Sequence, residues 1–147
     1  MANTNAQVEA EKWIRDIEMP RLYGQEFRTR NLDLKSNGQF KFDAVSDDKK
    51  IVSVISTSTG ISRKGTTATA KLQKIRADVY WFFMLANPPE QCVLVFTDQS
   101  MMDLINEEKK KGRFPSEFEL VKVQLPPELA QKVLQSQLEA SKEVSPR

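Results

Sequence analysis

The sequence predicts an α/β domain with a mixed β-sheet flanked by helices. Three observations carry that expectation. Gln39 to Ser46 and Ile51 to Thr57 read as adjacent strands around the polar turn "DDKK". A helical apolar spacing runs from about Thr67 to Ala86, followed by "CVLVF", a short continuous apolar run of the kind buried on both faces of a sheet. Strands in meander followed by a crossover helix and a further strand imply antiparallel and parallel neighbours in one sheet.

Taken in order, "NAQVEAEKWIRDIEMPRLYG" reads as the first helix, with Val8, Trp13, Ile14 and Ile17 as its apolar stripe and Pro20 and Gly24 punctuating its end. "FRTRNLDLK" is a short strand, and Asn37-Gly38 a tight-turn signal before the next. In Gln39 to Ser46, Phe40, Phe42 and Ala44 alternate with Lys41, Asp43 and Val45. "STGISRKGTT", residues 58–67, reads as a loop. The long helix places Leu72, Ile75, Val79, Phe82, Phe83 and Ala86 on one stripe, with Lys71, Lys74 and Asp78 along its flank. Asp98 and Ser100 are N-cap candidates for a helix that Gly112 closes. Lys109, Lys110, Lys111 and Arg113 then complement its dipole at the C-terminal end. "FELVKVQL" is a further strand, and a final helix enters through the prolines of "PPELAQ". The whole is an α-β-β-β-α-β core with a C-terminal α-β-α extension.

With 147 residues the chain is expected to form one domain, 1–147. A formal net charge of +2 is too small to mark a nucleic-acid binder and excludes nothing, because patches matter more than totals. No apolar run approaches a membrane span, and the N-terminus lacks the pattern of a signal peptide. A single cysteine, Cys92, rules out an intrachain disulfide and suits a reducing cytoplasm, the expected location. The chain contains no histidine, which removes Ser-His-Asp and Cys-His catalysis and His-bearing zinc sites. Any metal held by this chain would be a hard cation such as Mg²⁺ on carboxylates, carbonyls and water.

The element order, with the acid Asp43 near the end of the second strand, resembles the core of the PD-(D/E)xK nuclease superfamily over roughly residues 5–97. The resemblance implies a restriction-endonuclease-like fold, Mg²⁺-dependent phosphodiester hydrolysis and a DNA or RNA partner. Asp43 matches the family's metal-binding aspartate by position. The Glu-x-Lys of the third strand is missing: the matching stretch is Ser53-Val54-Ile55-Ser56. The family often carries a further acid in or after the first helix, which implies Glu26 or Glu18 as the second metal ligand. Some members move the lysine to the following helix, which implies Lys71 or Lys74. Phosphate contacts are then expected from Arg63, Lys64, Lys71 and Lys74.

Simpler readings stand beside these. Asp43 can be a surface acid near Lys49 or Lys50, and Lys74–Asp78 an ordinary i,i+4 pair on a solvated face. Tyr80 and Trp81 can stack on bases or fill a dimer contact. Three functions stay open: an active Mg²⁺-dependent nuclease, a nuclease-like fold that binds nucleic acid without catalysis, and a protein-interaction subunit, for instance a homodimer.

Overall fold

A five-stranded mixed sheet forms the middle layer of the computed structural model, which describes residues 5–60, 65 and 67–144. Strands β1 (Phe27–Asp33), β2 (Gln39–Ser46), β3 (Ile51–Ser56), β4 (Gln91–Phe96) and β5 (Glu119–Lys122) lie side by side in that order. β1, β2 and β3 form an antiparallel meander, while β4 and β5 are added in parallel. The helices are α1 (Asn5–Trp13), α2 (Met19–Tyr23), α3 (Thr69–Phe83), α4 (Gln99–Lys110) and α5 (Pro127–Val144), with a π-helical turn, Ile14–Glu18, joining α1 to α2. The α/β architecture expected from the sequence is the one observed. Among the described residues no helix is long and apolar enough to cross a membrane.

Two cores follow from the alternation of β3 and β4. Val52, Val54, Leu94 and Phe96 pack with Leu72, Ile75, Val79 and Phe82 of α3 and with Met101 and Ile105 of α4. Ile51, Ile55, Val93 and Val95 face the other way, onto Ala6, Ala10 and Ile14 and onto Leu129 and Val133 of α5. Each fully buried large side chain, such as Phe42 or Phe96, contributes roughly 1.5–3 kcal/mol of burial free energy.

The N-terminal helix buries a different stripe from the one expected. Ala6, Ala10 and Ile14, spaced by four, face the core, whereas Val8 and Ile17 are 63% and 56% exposed. Small side chains at this spacing let α1 approach both the sheet and α5. Pro20 does not end the helix either. Its missing N–H and its ring conflict with the carbonyl four residues back, and a π-helical turn immediately upstream takes up the mismatch. Gly24, at φ 73°, closes the helix by donating to the Pro20 carbonyl at 2.8 Å.

α3 stops at Phe83, three residues before the expected end, leaving Phe83 and Ala86 exposed and Leu85 buried. Here the end of β1 competes for the backbone: Lys35 donates to the Met84 carbonyl at 2.8 Å, and Ala86 donates to that of Asp33 at 3.0 Å. The basic end of α4 also does more than complement a dipole. Glu108 is 3% exposed and accepts from Arg113 at 2.7 Å and from Arg76 of α3, while Lys109 donates to the Phe118 carbonyl. The two guanidiniums hold the Glu108 carboxyl below the usual carboxylate range, Arg113 contributing most.

β2 breaks the simple alternation. Arg28 pairs with Val45 and Arg30 with Phe42, so Thr29 alone faces both Asp43 and Ala44: a β-bulge. Phe42 and Val45 consequently share the α3 side of the sheet, whereas Ala44 packs with α1 and α5.

Candidate functional site

The bulge places Asp43 in the middle of β2, where the β2–β3 pairing gives out. That pairing runs only through Ala44↔Ser53 and Val45↔Val52. Past it, Asp43 Oδ2 accepts the Ile55 N–H at 2.8 Å, a side chain standing in for a ladder rung. The Asp43 carbonyl is held in turn by Thr29 Oγ1 at 3.0 Å and by Arg15 Nη1, from the π-helical turn, at 3.4 Å. The half-buried carboxylate is therefore held by β3, and the backbone that bears it by β1 and the π-helical turn.

Glu11 of α1 and Lys71, Lys74 and Asp78 of α3 surround a pocket of about 180 Å³ beside it. Ser56, Thr57 and Ser58, where the chain leaves β3, line the same pocket. Asp78 is 9% exposed, and its Oδ2 accepts from Lys74 Nζ at 3.4 Å. Asp43 acts on both of the other acids. Burial, then repulsion by Asp43, raises the Glu11 pKa against the pull of Arg15, Lys74 and Lys41. Burial likewise raises Asp43, opposed by the Ile55 N–H, Lys74, Arg15 and Lys41. Asp78 is raised by burial and by Asp43, with Lys74 opposing. Several carboxylates displaced in one direction by burial and mutual charge, beside a lysine, are characteristic of functional clefts.

The residues expected from the sequence divide accordingly. Lys74 is brought within electrostatic reach of Asp43, and Lys71, one turn earlier on the exposed side of α3, lines the same pocket as Lys74. Lys74, Arg15 and Lys41 are the cations acting on Asp43, in place of Lys49 and Lys50 at the turn. Glu26 is not part of the group. It is exposed before β1, and its carbonyl accepts the N–H of Asp47, four residues beyond Asp43, or about 13 Å along a strand. Glu18 forks with Arg21 at 2.7 and 2.8 Å. Arg63 and Lys64 lie outside the described residues. Asp98 spends its Oδ1 on the N–H groups of Ser100 and Met101 and on the Ser100 hydroxyl, which makes it the N-cap of α4. Two site residues escaped the sequence reading: Glu11, and Asp78 as anything beyond a surface pair. Asp78 did carry a signal, since it interrupts the buried run Ile75, Val79 and Phe82.

Its lysines apart, the side chains at the pocket offer oxygen donors only, the kind that hard cations take. Asp43 keeps Oδ1 free of the Ile55 bond, and Glu11 offers a second carboxylate. Among the described residues no three of His, Cys, Asp and Glu form a group that could hold a metal by themselves. An ion here would complete its shell with water and phosphate oxygens. That is the habit of Mg²⁺, which is commonly bound through one or two carboxylates.

Compared with protein-family models, with curated proteins and with solved structures, the chain matches none.

Proposed function

We propose that this chain is a nuclease-like domain that binds nucleic acid and hydrolyses phosphodiester bonds at the Asp43 pocket, with its lysine supplied by α3 in place of β3. The observation that carries this reading is that Glu11 of α1 and Lys74 of α3 line one cleft, and that Asp43 of β2, beside it, lies close enough to interact electrostatically with both. The element order from α1 to β4 adds support from the resemblance to PD-(D/E)xK nucleases.

In this reading Glu11 and Asp43 hold Mg²⁺, which when bound polarises the phosphate and acidifies water. Lys74 places its ammonium where negative charge grows on the phosphate oxygens. Lys71, one turn away and exposed, anchors a neighbouring phosphate. The Ser56, Thr57 and Ser58 segment offers hydroxyls to the same group. Ser53 is fully buried, with no hydrogen-bond partner for its hydroxyl among the described residues, and brings no charge to this work.

The test is cleavage of supercoiled plasmid and single-stranded DNA with Mg²⁺ or Mn²⁺ by wild type, Asp43→Asn and Glu11→Gln. Metal-dependent cleavage by wild type that both variants lose supports the reading. A folded wild type that cleaves neither substrate removes hydrolysis from it. Binding is then judged by salt: replacing Lys71 and Lys74 should flatten the dependence of log affinity on log salt by about 0.7 per lysine on single strands.

A second reading, a protein-interaction subunit, is favoured by one observation. Val8 and Ile17 near the N-terminus and Leu134 and Leu138 on α5 are all about half exposed or more. Light scattering at several concentrations tests self-association.

A further inference from the structure

We propose that Asp78 is a positioning residue that holds the Lys74 ammonium at the mouth of the Asp43 pocket. This inference rests on the hydrolytic reading above and adds a role to a side chain that reading leaves unused.

The pair is poorly explained as a device for stability. Lys74 precedes Asp78 by four residues, the less favourable order for an ion pair on a helix, and such pairs contribute little even in the better order. Its two ends are unequally solvated: the Lys74 side chain is 70% exposed and that of Asp78 only 12%. A carboxylate is thus buried on α3, in a run with Ile75, Val79 and Phe82, for the sake of a partner that water would solvate well. An apolar or amide side chain would sit there more comfortably. Among the described residues Lys74 is its hydrogen-bond donor.

The arrangement makes sense for the pocket. A free lysine side chain samples many rotamers, and an exposed one on α3 would seldom face Asp43. A buried, rotamer-restricted carboxylate one helical turn below gives the ammonium a fixed point of attachment. An ammonium has three protons, so this one bond leaves two for acceptors at the rim that Lys71, Glu11 and Ser58 share. Lys74 acts electrostatically on Asp43, Asp78 and Glu11 alike, which places its charge among them.

The experiment compares wild type with Asp78→Asn and Asp78→Glu in the full chain. Three quantities are measured: the thermal midpoint, the kcat and KM of Mg²⁺-dependent DNA cleavage, and the ¹⁵N-lysine side-chain signal of Lys74, assigned with Lys74→Ala. For Asp78→Asn the expected result is a higher thermal midpoint, a kcat lower by about 10- to 100-fold with KM little changed, and loss of the protected Lys74 signal. Asp78→Glu should restore part of the kcat and of the signal. An Asp78→Asn protein that melts lower and keeps the Lys74 signal would overturn the proposal, as would an unchanged kcat. If wild type does not cleave, the hydrolytic reading fails by itself. The Lys74 signal and the melting shift still decide whether Asp78 holds the lysine.

Discussion

Asp43 accepts the Ile55 backbone N–H at 2.8 Å in the place where the β2–β3 ladder would otherwise continue. One side chain therefore serves the sheet and the pocket together, and the two roles separate by substitution. Asp43→Asn keeps an amide oxygen for the Ile55 N–H and removes a charge that burial disfavours, so it should unfold at the same or higher urea concentration than wild type. Asp43→Ala leaves that N–H without its acceptor and should be less stable than Asp43→Asn by about 1–3 kcal/mol. Both should lose cleavage. Urea melts followed by circular dichroism, run beside the plasmid assay, check the split.

Glu11 and Glu26 provide the sharpest comparison between two acids. Glu11→Gln should lower metal-dependent cleavage by about 100-fold, since it removes one of the two carboxylates proposed to hold Mg²⁺. Glu26→Gln should leave cleavage and melting unchanged, because Glu26 lies beside Asp47, in the turn after β2 and four residues beyond Asp43. Rates for the two variants under identical Mg²⁺ decide it: a large effect at Glu26 with none at Glu11 would move the site to the wrong end of the strand.

This comparison shows what the sequence could and could not carry. Alternation in "QFKFDAVS" located β2 to the residue, and helical spacing placed Lys71, Lys74 and Asp78 on one flank of α3. The bulge at Asp43 and Ala44 leaves no periodic trace, because one inserted residue looks like an ordinary irregularity of composition. Glu26 is nearer than Glu11 to Asp43 along the chain, but hairpin pairing sets Phe27 opposite Ser46 and so carries Glu26 beyond the end of β2. Glu11 was hidden for another reason. The stripe that orients α1 is built on Ala6 and Ala10, which a reading weighted toward large apolar residues passes over in favour of Val8 and Ile17.

The three raised carboxylates predict an unusual pH dependence. Glu11, Asp43 and Asp78 bind protons more tightly folded than unfolded, so their burial makes stability fall as pH rises from the ordinary carboxylate values of 3.8 to 4.5 through their raised ones. Below that window the sign reverses. Glu18, Asp48 and Glu108 titrate lower folded than unfolded, and their contribution is lost as pH drops through the depressed values. Stability should therefore peak in mildly acidic solution. Urea melts between pH 3 and 8 would show the maximum, and Asp43→Asn and Asp78→Asn should each flatten its neutral side while leaving the acid side in place. A neutral-side slope that neither substitution changes would mean these acids are solvated.

The wall of the pocket depends on a close approach behind it. Gly60 follows the Ser56 to Ser58 segment, and a Cβ there would lie 2.5 Å from the Ser100 carbonyl oxygen and 2.8 Å from Met101 Cα. Both are backbone atoms in the first turn of α4, which Asp98 caps and whose Ser100 hydroxyl accepts the Gly60 N–H at 2.9 Å. That turn cannot yield as the end of a flexible side chain could. Gly60 also ties the start of α3 to this wall, since its carbonyl accepts the Ala68 N–H at 3.0 Å. Gly60→Ala must then push the segment away from α4 or break the Ser100 bond, costing about 1–3 kcal/mol. Because the displaced segment lines the cleft and is bonded to the helix that bears Lys71 and Lys74, cleavage should fall along with stability. Gly38→Ala is the matched control. Nothing lies within 4 Å of its added Cβ, and its melting should stay within about 0.5 kcal/mol of wild type. Urea melts of the two alanine variants decide the point: equal stabilities would mean that Gly60 is not seated on α4.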